Sequence, residues 1–360
     1  MRIGLVFRSL AYGALALATL EIAARVDDFV NDDAALLKPY TINTLFRPSP
    51  YGREGVPGAR FGKWQMNSLG YRGPELQGGR HNVLTFGASE TFGLYESAGH
   101  EYPRVLEAAL NQDATPGFNV VNTALPGMRI GRVGYLGRAI DQTRARYVVV
   151  YPSPANYIGT EKPFCEQGSK PVPSAHGLAE RIRLAGKLDQ QAKKIMPATL
   201  QDLLRSANIW WTTRNEVLID AVPEATMQAL REDLDCLVRA VQAKGATTVL
   251  VTHATYFGDR LEPDDKGMLT AWRRFYPELR DEGFIDMERR ANEVIRAVAS
   301  SHRVPLVDAA AAIPRGPEYF ADFVHFSDKG AAMLGRLLAT AILAADGTPA
   351  ATQAALIPPR

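Results

Sequence analysis

Residues 82–93 read NVLTFGASETFG. The run Asn82–Phe86 is short, apolar, β-branched and aromatic, without the alternation of a half-exposed strand. It reads as a strand buried on both faces. Ser89 then lies between that strand and a helix beginning near Thr91. Four further runs have the same character: Asn119–Asn122, Tyr147–Tyr151, Thr248–Thr252 and Pro305–Val307. Helical patterns lie between them. Met227, Leu230, Leu234, Leu237 and Val241 recur at helical steps, and Gly245 ends that pattern. Residues Met287–Ser300 and Lys329–Leu343 also read as helices. Strands alternating with helices predict an α/β domain: a five-stranded parallel sheet, doubly wound, in three α/β/α layers. Ligands then bind at the carboxyl ends of the strands. Just past those ends lie Gly87–Glu90, Thr123–Gly127, Pro152–Asn156 and His253.

A serine hydroxyl is a poor nucleophile unless a base takes its proton, and that base needs an orienting carboxylate. At a strand-to-helix turn the Ser89 backbone N–H is a natural oxyanion donor. The base must be one of His81, His100, His176, His253, His302 and His325. Only His325 has an acidic residue three positions before it, Asp322. An Asp-x-x-His loop ahead of the last helix lets the carboxylate meet the imidazole locally. Taken singly, each motif also has a plainer reading. Ser89 would suit a helix N-cap, Gly127 and Asn156 a turn, and Asp322 an Asx-turn.

Together these blocks resemble the SGNH/GDSL hydrolase superfamily over roughly residues 80–345. The resemblance is carried by NVLTFGASETFG, LPGM around Gly127, Asn156 after a strand, and DFVH at 322–325. Residues 67–75, NSLGYRGPE, with Glu101-Tyr-Pro and Leu106-Glu107, resemble the membrane-anchored bacterial branch of that superfamily. The resemblance implies a flavodoxin-like sheet and a catalytic triad of Ser89, Asp322 and His325. It implies an oxyanion hole built from the N–H of Ser89, the N–H of Gly127 and the side chain of Asn156. His253 is expected as a weaker, substrate-binding contact. Two departures stand out. Ala88 replaces the usual Asp before the serine, and Pro152–Tyr157 lacks the Gly and second Asp of the third block. That loss bears on the placement of Asn156, for which Ser153 is a weaker substitute.

Outside the domain, residues Met1–Arg25 read MRIGLVFRSLAYGALALATLEIAAR, followed by Asp27, Asp28, Asp32 and Asp33. Basic before and acidic after an apolar run predicts a single-pass inner-membrane anchor with its N-terminus inside. The catalytic domain then faces the periplasm or extracytoplasmic space. A cleaved signal peptide, with secretion, is the alternative, because Ala16-Leu17-Ala18 suits a cleavage site. Residues 26–80 read as an irregular lead-in, 81–346 as the hydrolase domain and 347–360 as a flexible tail. A helical insertion spans about 177–218. Within it Leu184, Leu188, Ala192 and Ile195 form an apolar stripe ahead of Trp210 and Trp211. The expectation is an extra helix packed on the core, with a cap or a partner- or bilayer-facing surface as the alternative.

Lys and Arg total 41 against 39 Asp and Glu, a net charge of +2 that gives no bulk attraction for nucleic acid. No Gly-x-Gly-x-x-Gly or Gly-Lys-Ser/Thr loop appears, and no His/Asp/Glu cluster has metal spacing. No cofactor or metal is therefore expected. Two cysteines exclude a disulfide-dense scaffold, and spacing leaves a Cys165–Cys236 bridge open. The reading is an extracytoplasmic serine esterase. Its substrate is expected to be an O-acyl ester, O-acetyl above all, on a glycan or envelope polymer. The alternatives are an O-acyltransferase served by a polytopic acyl-donating membrane partner, and a catalytically silent envelope protein.

Overall fold

The computed structural model describes residues 2–112, 117–167, 182–214, 218–258 and 260–347. The tail from 348 onward, His176 and the insertion's 177–181 and 215–217 lie outside the described residues.

Helix α1 (Arg2–Asp32) opens the chain, followed by two short antiparallel hairpins, β1–β2 (Phe46–Ser49, Gly52–Gly55) and β3–β4 (Arg60–Phe61, Trp64–Gln65). Then come β5 (His81–Gly87), α2 (Ser89–Phe92), α3 (Tyr102–Leu110), β6 (Phe118–Asn122), α4 (Val133–Thr143) and β7 (Tyr147–Tyr151). Next are α5 (Phe164–Gln167), α6 (Arg183–Ile195), α7 (Ala198–Thr213), α8 (Glu224–Ala243) and β8 (Thr247–Val251). The chain closes with α9 (Lys266–Arg273), α10 (Asp281–His302), β9 (Leu306–Val307), α11 (Ala309–Ala312) and α12 (Asp328–Ala345).

Strands β5 to β9 form one parallel sheet of five strands in the order β6-β5-β7-β8-β9. The order reverses between β5 and β7, where doubly wound sheets place their ligands. The expected strands lie within one residue of those seen. The fourth slips by one because its pairing starts at Tyr147↔Thr247, which leaves Thr252 beyond the strand.

Period-2 alternation divides the sheet's side chains between two helical layers. Leu84, Phe86, Val121, Val148, Val150 and Leu250 face one core with Leu136, Leu234 and Ile295 of α4, α8 and α10. Val83, Val120, Val149, Val249 and Val251 face the other, with Leu106 of α3 and Leu338 of α12. Full burial of one such side chain stabilises by about 1.5–3 kcal/mol. An exposed pair such as Lys244–Asp141 contributes about 0–1 kcal/mol. The two apolar layers therefore decide the fold.

The lead-in builds no core of its own: Leu45, Phe46, Met66 and Tyr71 are buried in the same cluster as Leu84. The insertion differs from the expected extra core helix. Leu188, Ile195, Leu200, Leu203, Leu204, Trp210 and Trp211 are exposed. The reason is the docking partners: α7 rests on α9 with Ile209 buried, while α6 packs on α1, where Glu21 accepts from the Arg183 and Leu184 N–H groups and Arg183 pairs with Asp28. Helix α1 runs past residue 25 to Asp32, and its Phe7–Asp32 portion is long and apolar enough to cross a membrane. Cys165 and Cys236 are free thiols rather than a bridge; they stand side by side, and burial with that neighbour pushes the Cys165 thiol up.

Candidate active site

Register levels the carboxyl ends of the central strands, with Thr85↔Asn122 and Gly87↔Tyr151 as partners. The loops after β5, β6 and β7 therefore share one edge. Gly87 makes the first turn possible. A Cβ there would lie 2.2 Å from Thr91 Oγ1 and 2.6 Å from the Tyr151 carbonyl. The chain turns at Ala88 straight into α2, a single helical turn that Ser89 opens. The plainer reading of Ser89 as a side-chain cap is not met, since its Oγ donates to Glu90 Oε2 at 3.2 Å. The far end of α2 is tied down by the lead-in: Arg72 Nη1 and Trp64 Nε1 both donate to the Gly93 carbonyl, at 3.1 and 3.0 Å. Arg72 also pairs with buried Glu101 at 3.1 Å. Residues 67–75 thus have a structural task, holding the short helix that carries the serine.

The Asp322–His325 loop closes on itself. Asp322 Oδ1 accepts from the N–H groups of Val324 and His325 at 2.9 and 2.8 Å. The same carboxylate receives His325 Nδ1 at 2.8 Å from Oδ2. The Asx-turn and the imidazole partner are one group serving both tasks. Burial pushes the His325 pKa down, but the Asp322 hydrogen bond and charge, joined by Glu90 and Glu96, leave it raised. Burial likewise opposes ionisation of Asp322, and His325 outweighs it, so the carboxyl sits below its ordinary value. The other ring nitrogen, Nε2, is buried and has no hydrogen-bond partner among the described residues. Tyr95, three residues past α2, packs on the imidazole with ring centroids 4.9 Å apart.

The second loop is a tight turn. Met128 N–H donates to the Leu125 carbonyl at 3.0 Å, and Leu125 N–H reaches the Gly87 carbonyl at 3.3 Å. Pro126 and Gly127 are its central residues, and Gly127 has φ +73°, the type II pattern. Nothing lies within 4 Å of where a Gly127 Cβ would be, so the backbone there is open to a ligand. The third loop meets the second. Asn156 Nδ2 donates to the Met128 carbonyl at 3.1 Å, and Arg129 Nε donates to the Asn156 carbonyl at 2.9 Å. Asn156 thus sits beside Gly127 even without the usual glycine, and one of its two amide hydrogens is already committed. Ser153 faces elsewhere, donating to Glu90 Oε1 at 2.8 Å.

His253, expected as a substrate contact, stands between two carboxylates. It is 1% exposed, with Nδ1 on Glu288 at 2.7 Å and Nε2 towards Glu90 at 3.4 Å. Burial alone would lower its pKa, but the Glu288 and Glu90 charges overcome it and hold it up at about 10. Burial would raise the Glu90 carboxyl, and the His253 hydrogen bond and charge bring it down to about 2. Glu90 was missed in the sequence because a Glu after a serine reads as helix-start chemistry. A cavity of about 930 Å³ is lined by His253 together with Glu288, Asn292, Arg296 and Arg315, but not by Ser89 or His325. Among the described residues no cluster of His, Cys, Asp and Glu is arranged to hold a metal ion.

No protein-family model matches the chain, and no curated protein matches it by sequence. Among solved structures it is similar to the lipase/acylhydrolase from Enterococcus faecalis (14% identity, TM-score 0.43, 74% of this chain and 96% of that one). It is also similar to a GDSL-like lipase from Bacteroides thetaiotaomicron (14%, 0.41, 73% and 88%). A third is a catalytic mutant of an acetylxylan esterase from Geobacillus stearothermophilus (14%, 0.41, 78% and 97%). At these values the likeness is one of outline.

Proposed function

We propose that the chain is a serine ester hydrolase of the SGNH type, with Ser89 as nucleophile, His325 as base and Asp322 as its orienting carboxylate. The observation that carries this reading is the state of His325. Its Nδ1 is locked to Asp322 while its buried Nε2 has no partner among the described residues, beside the short helix that Ser89 opens. A buried unpaired ring nitrogen costs about 1–3 kcal/mol, and a substrate-bound serine hydroxyl would relieve that cost. Ser89 attacks the ester carbonyl, its proton passes to His325 Nε2, and the oxyanion meets N–H donors from Ser89, Gly127 and Asn156. The imidazolium then protonates the leaving alkoxide, and water releases the acid from the acyl-serine.

The substrate we propose is an O-acyl, chiefly O-acetyl, ester on a glycan or envelope polymer, on the strength of the family resemblance. The proposed setting is extracytoplasmic, with α1 as a single-pass anchor whose N-terminus stays inside. The basic-before, acidic-after flanks of its apolar run support that orientation. The test is turnover of p-nitrophenyl acetate and of an acetylated glycan by the full chain, with Ser89→Ala as control and an unacetylated glycan as acceptor. Ser89-dependent release of acetate supports the hydrolase. Acyl passage to the acceptor without release would make it a transferase, and no Ser89-dependent reaction of either kind would favour a silent protein.

A further inference from the structure

Strand β2 of the lead-in brings Arg53 against the back of the Leu125–Met128 turn. Arg53 Nη2 donates to the Pro126 carbonyl at 2.6 Å, and its guanidinium carbon stands 4.5 Å from the centre of the Phe46 ring. Its neighbour Glu54 fixes the strand through ion pairs with Arg47 and Arg138. Among the described residues Arg53 has no carboxylate partner. Its half-buried charge is spent on one carbonyl, and that carbonyl belongs to the peptide whose nitrogen is Gly127.

A peptide bond is planar and trans, so its C=O and N–H point in opposite directions. A guanidinium holding Pro126 O therefore turns the Gly127 N–H away from Arg53. Among the described residues that N–H has no acceptor. Type I and type II turns differ by a flip of this central peptide. The flip would put an oxygen where the N–H now points and replace a donor by an acceptor. Leu125 N–H on the Gly87 carbonyl ties the same turn to the segment that carries Ser89. We infer that Arg53 is a positioning residue for the oxyanion hole: it clamps the Pro126–Gly127 peptide in the orientation that presents the Gly127 N–H to the substrate. This inference rests on the serine-hydrolase reading.

The test compares the full-length wild type with Arg53→Met, Arg53→Gln and Arg53→Lys on p-nitrophenyl acetate, with Ser89→Ala alongside and melting temperature measured for each. Loss of the clamp should lower kcat by about 10²–10³-fold in Arg53→Met and leave KM within about twofold, because the oxyanion forms only in the transition state. Arg53→Lys keeps one charged donor and should recover at least about tenfold of that loss. A purely structural role would lower the melting temperature without this split between kcat and KM. Should Arg53→Met not fold, Arg53→Gln, too short to reach the carbonyl, decides by the same split. Wild-type kcat in a folded Met or Gln variant, or a change confined to KM, overturns the clamp and leaves the hydrolase reading standing. A wild type with no Ser89-dependent hydrolysis overturns both.

Discussion

Ser89 donates its hydroxyl to Glu90, at 3.2 Å, and not to His325. Glu90 is held ionised by His253, so it is a strong acceptor and a poor base. The resting serine is thus parked on its own neighbour, and on the proposed reading attack calls for its hydroxyl to turn towards His325 Nε2. Such a rotation is fast on the scale of turnover. The consequence concerns the triad as a unit. Ser89→Ala and His325→Ala should each fold normally and each lose ~10³-fold or more in kcat, and the double variant should be little worse than either. Steady-state kinetics on one activated ester settle it; near-wild-type turnover in either single variant removes that residue from the mechanism.

On the proposed reading the pH profile follows from His325, which must be neutral to accept the proton. Its pKa is raised because Asp322, Glu90 and Glu96 face it with negative charge. Activity should therefore climb as pH rises through that raised value. Asp322→Asn removes the leading cause, so the acid limb of kcat/KM should move to lower pH. The same change should cost up to about 10⁴-fold in kcat, since the ring loses its orienting partner. Glu96→Gln should move the limb the same way by less. Burial holds Glu96 up at about 7, so it carries its full charge only above that pH. An acid limb that stays put in Asp322→Asn would deny His325 the role of base.

The parts legible in the sequence were those governed by local rules. Unalternated apolar runs marked the five strands, because a strand covered on both faces has no polar side to show. Asp322 and His325 were readable because three residues of loop are enough to join them. Glu90–His253–Glu288 was not readable, because it joins a turn, a strand end and a helix whose meeting is fixed only by the folded sheet. The Arg53 contact is hidden for the same reason, with donor and acceptor 73 positions apart. The stripe on α6 misled, since its helical spacing says that one face is apolar but not that the core covers it.

The buried trio makes stability depend on pH. His253 is held at about 10 against an ordinary 6.5. Its contribution is complete below 6.5 and is lost as pH rises towards 10. Glu90 is held at about 2 against an ordinary 4.5, so its contribution is complete above 4.5 and is lost as pH falls towards 2. His253→Gln leaves two buried carboxylates without their shared cation, a change of about 3–5 kcal/mol. The melting-temperature gap between wild type and His253→Gln should be widest near pH 6 and shrink steadily towards pH 10. Thermal scans across that range check it, and a gap that is flat or widens would mean His253 is buried neutral.

Asn156 holds its neighbour's backbone and, on the proposed reading, also serves as an oxyanion donor. Its Nδ2 carries two hydrogens, one of which goes to the Met128 carbonyl at 3.1 Å. The other remains for an oxyanion beside Gly127. Pro152 and Pro154 fix φ on either side of Ser153 and stiffen the approach, which is how the segment dispenses with the usual glycine. Arg129 then clasps the Asn156 carbonyl at 2.9 Å, so the second and third loops brace each other. Asn156→Ala removes the donor and one side of that brace together. It should lower kcat by about 10²–10³-fold with KM nearly unchanged, because a donor to the oxyanion strengthens only as charge develops. Asn156→Asp separates the two tasks. It keeps the side chain's size but offers acceptors where both partners need a donor. It should therefore be at least as slow as Asn156→Ala, and equal kcat in Asn156→Asp and wild type would show that no oxyanion forms against this side chain.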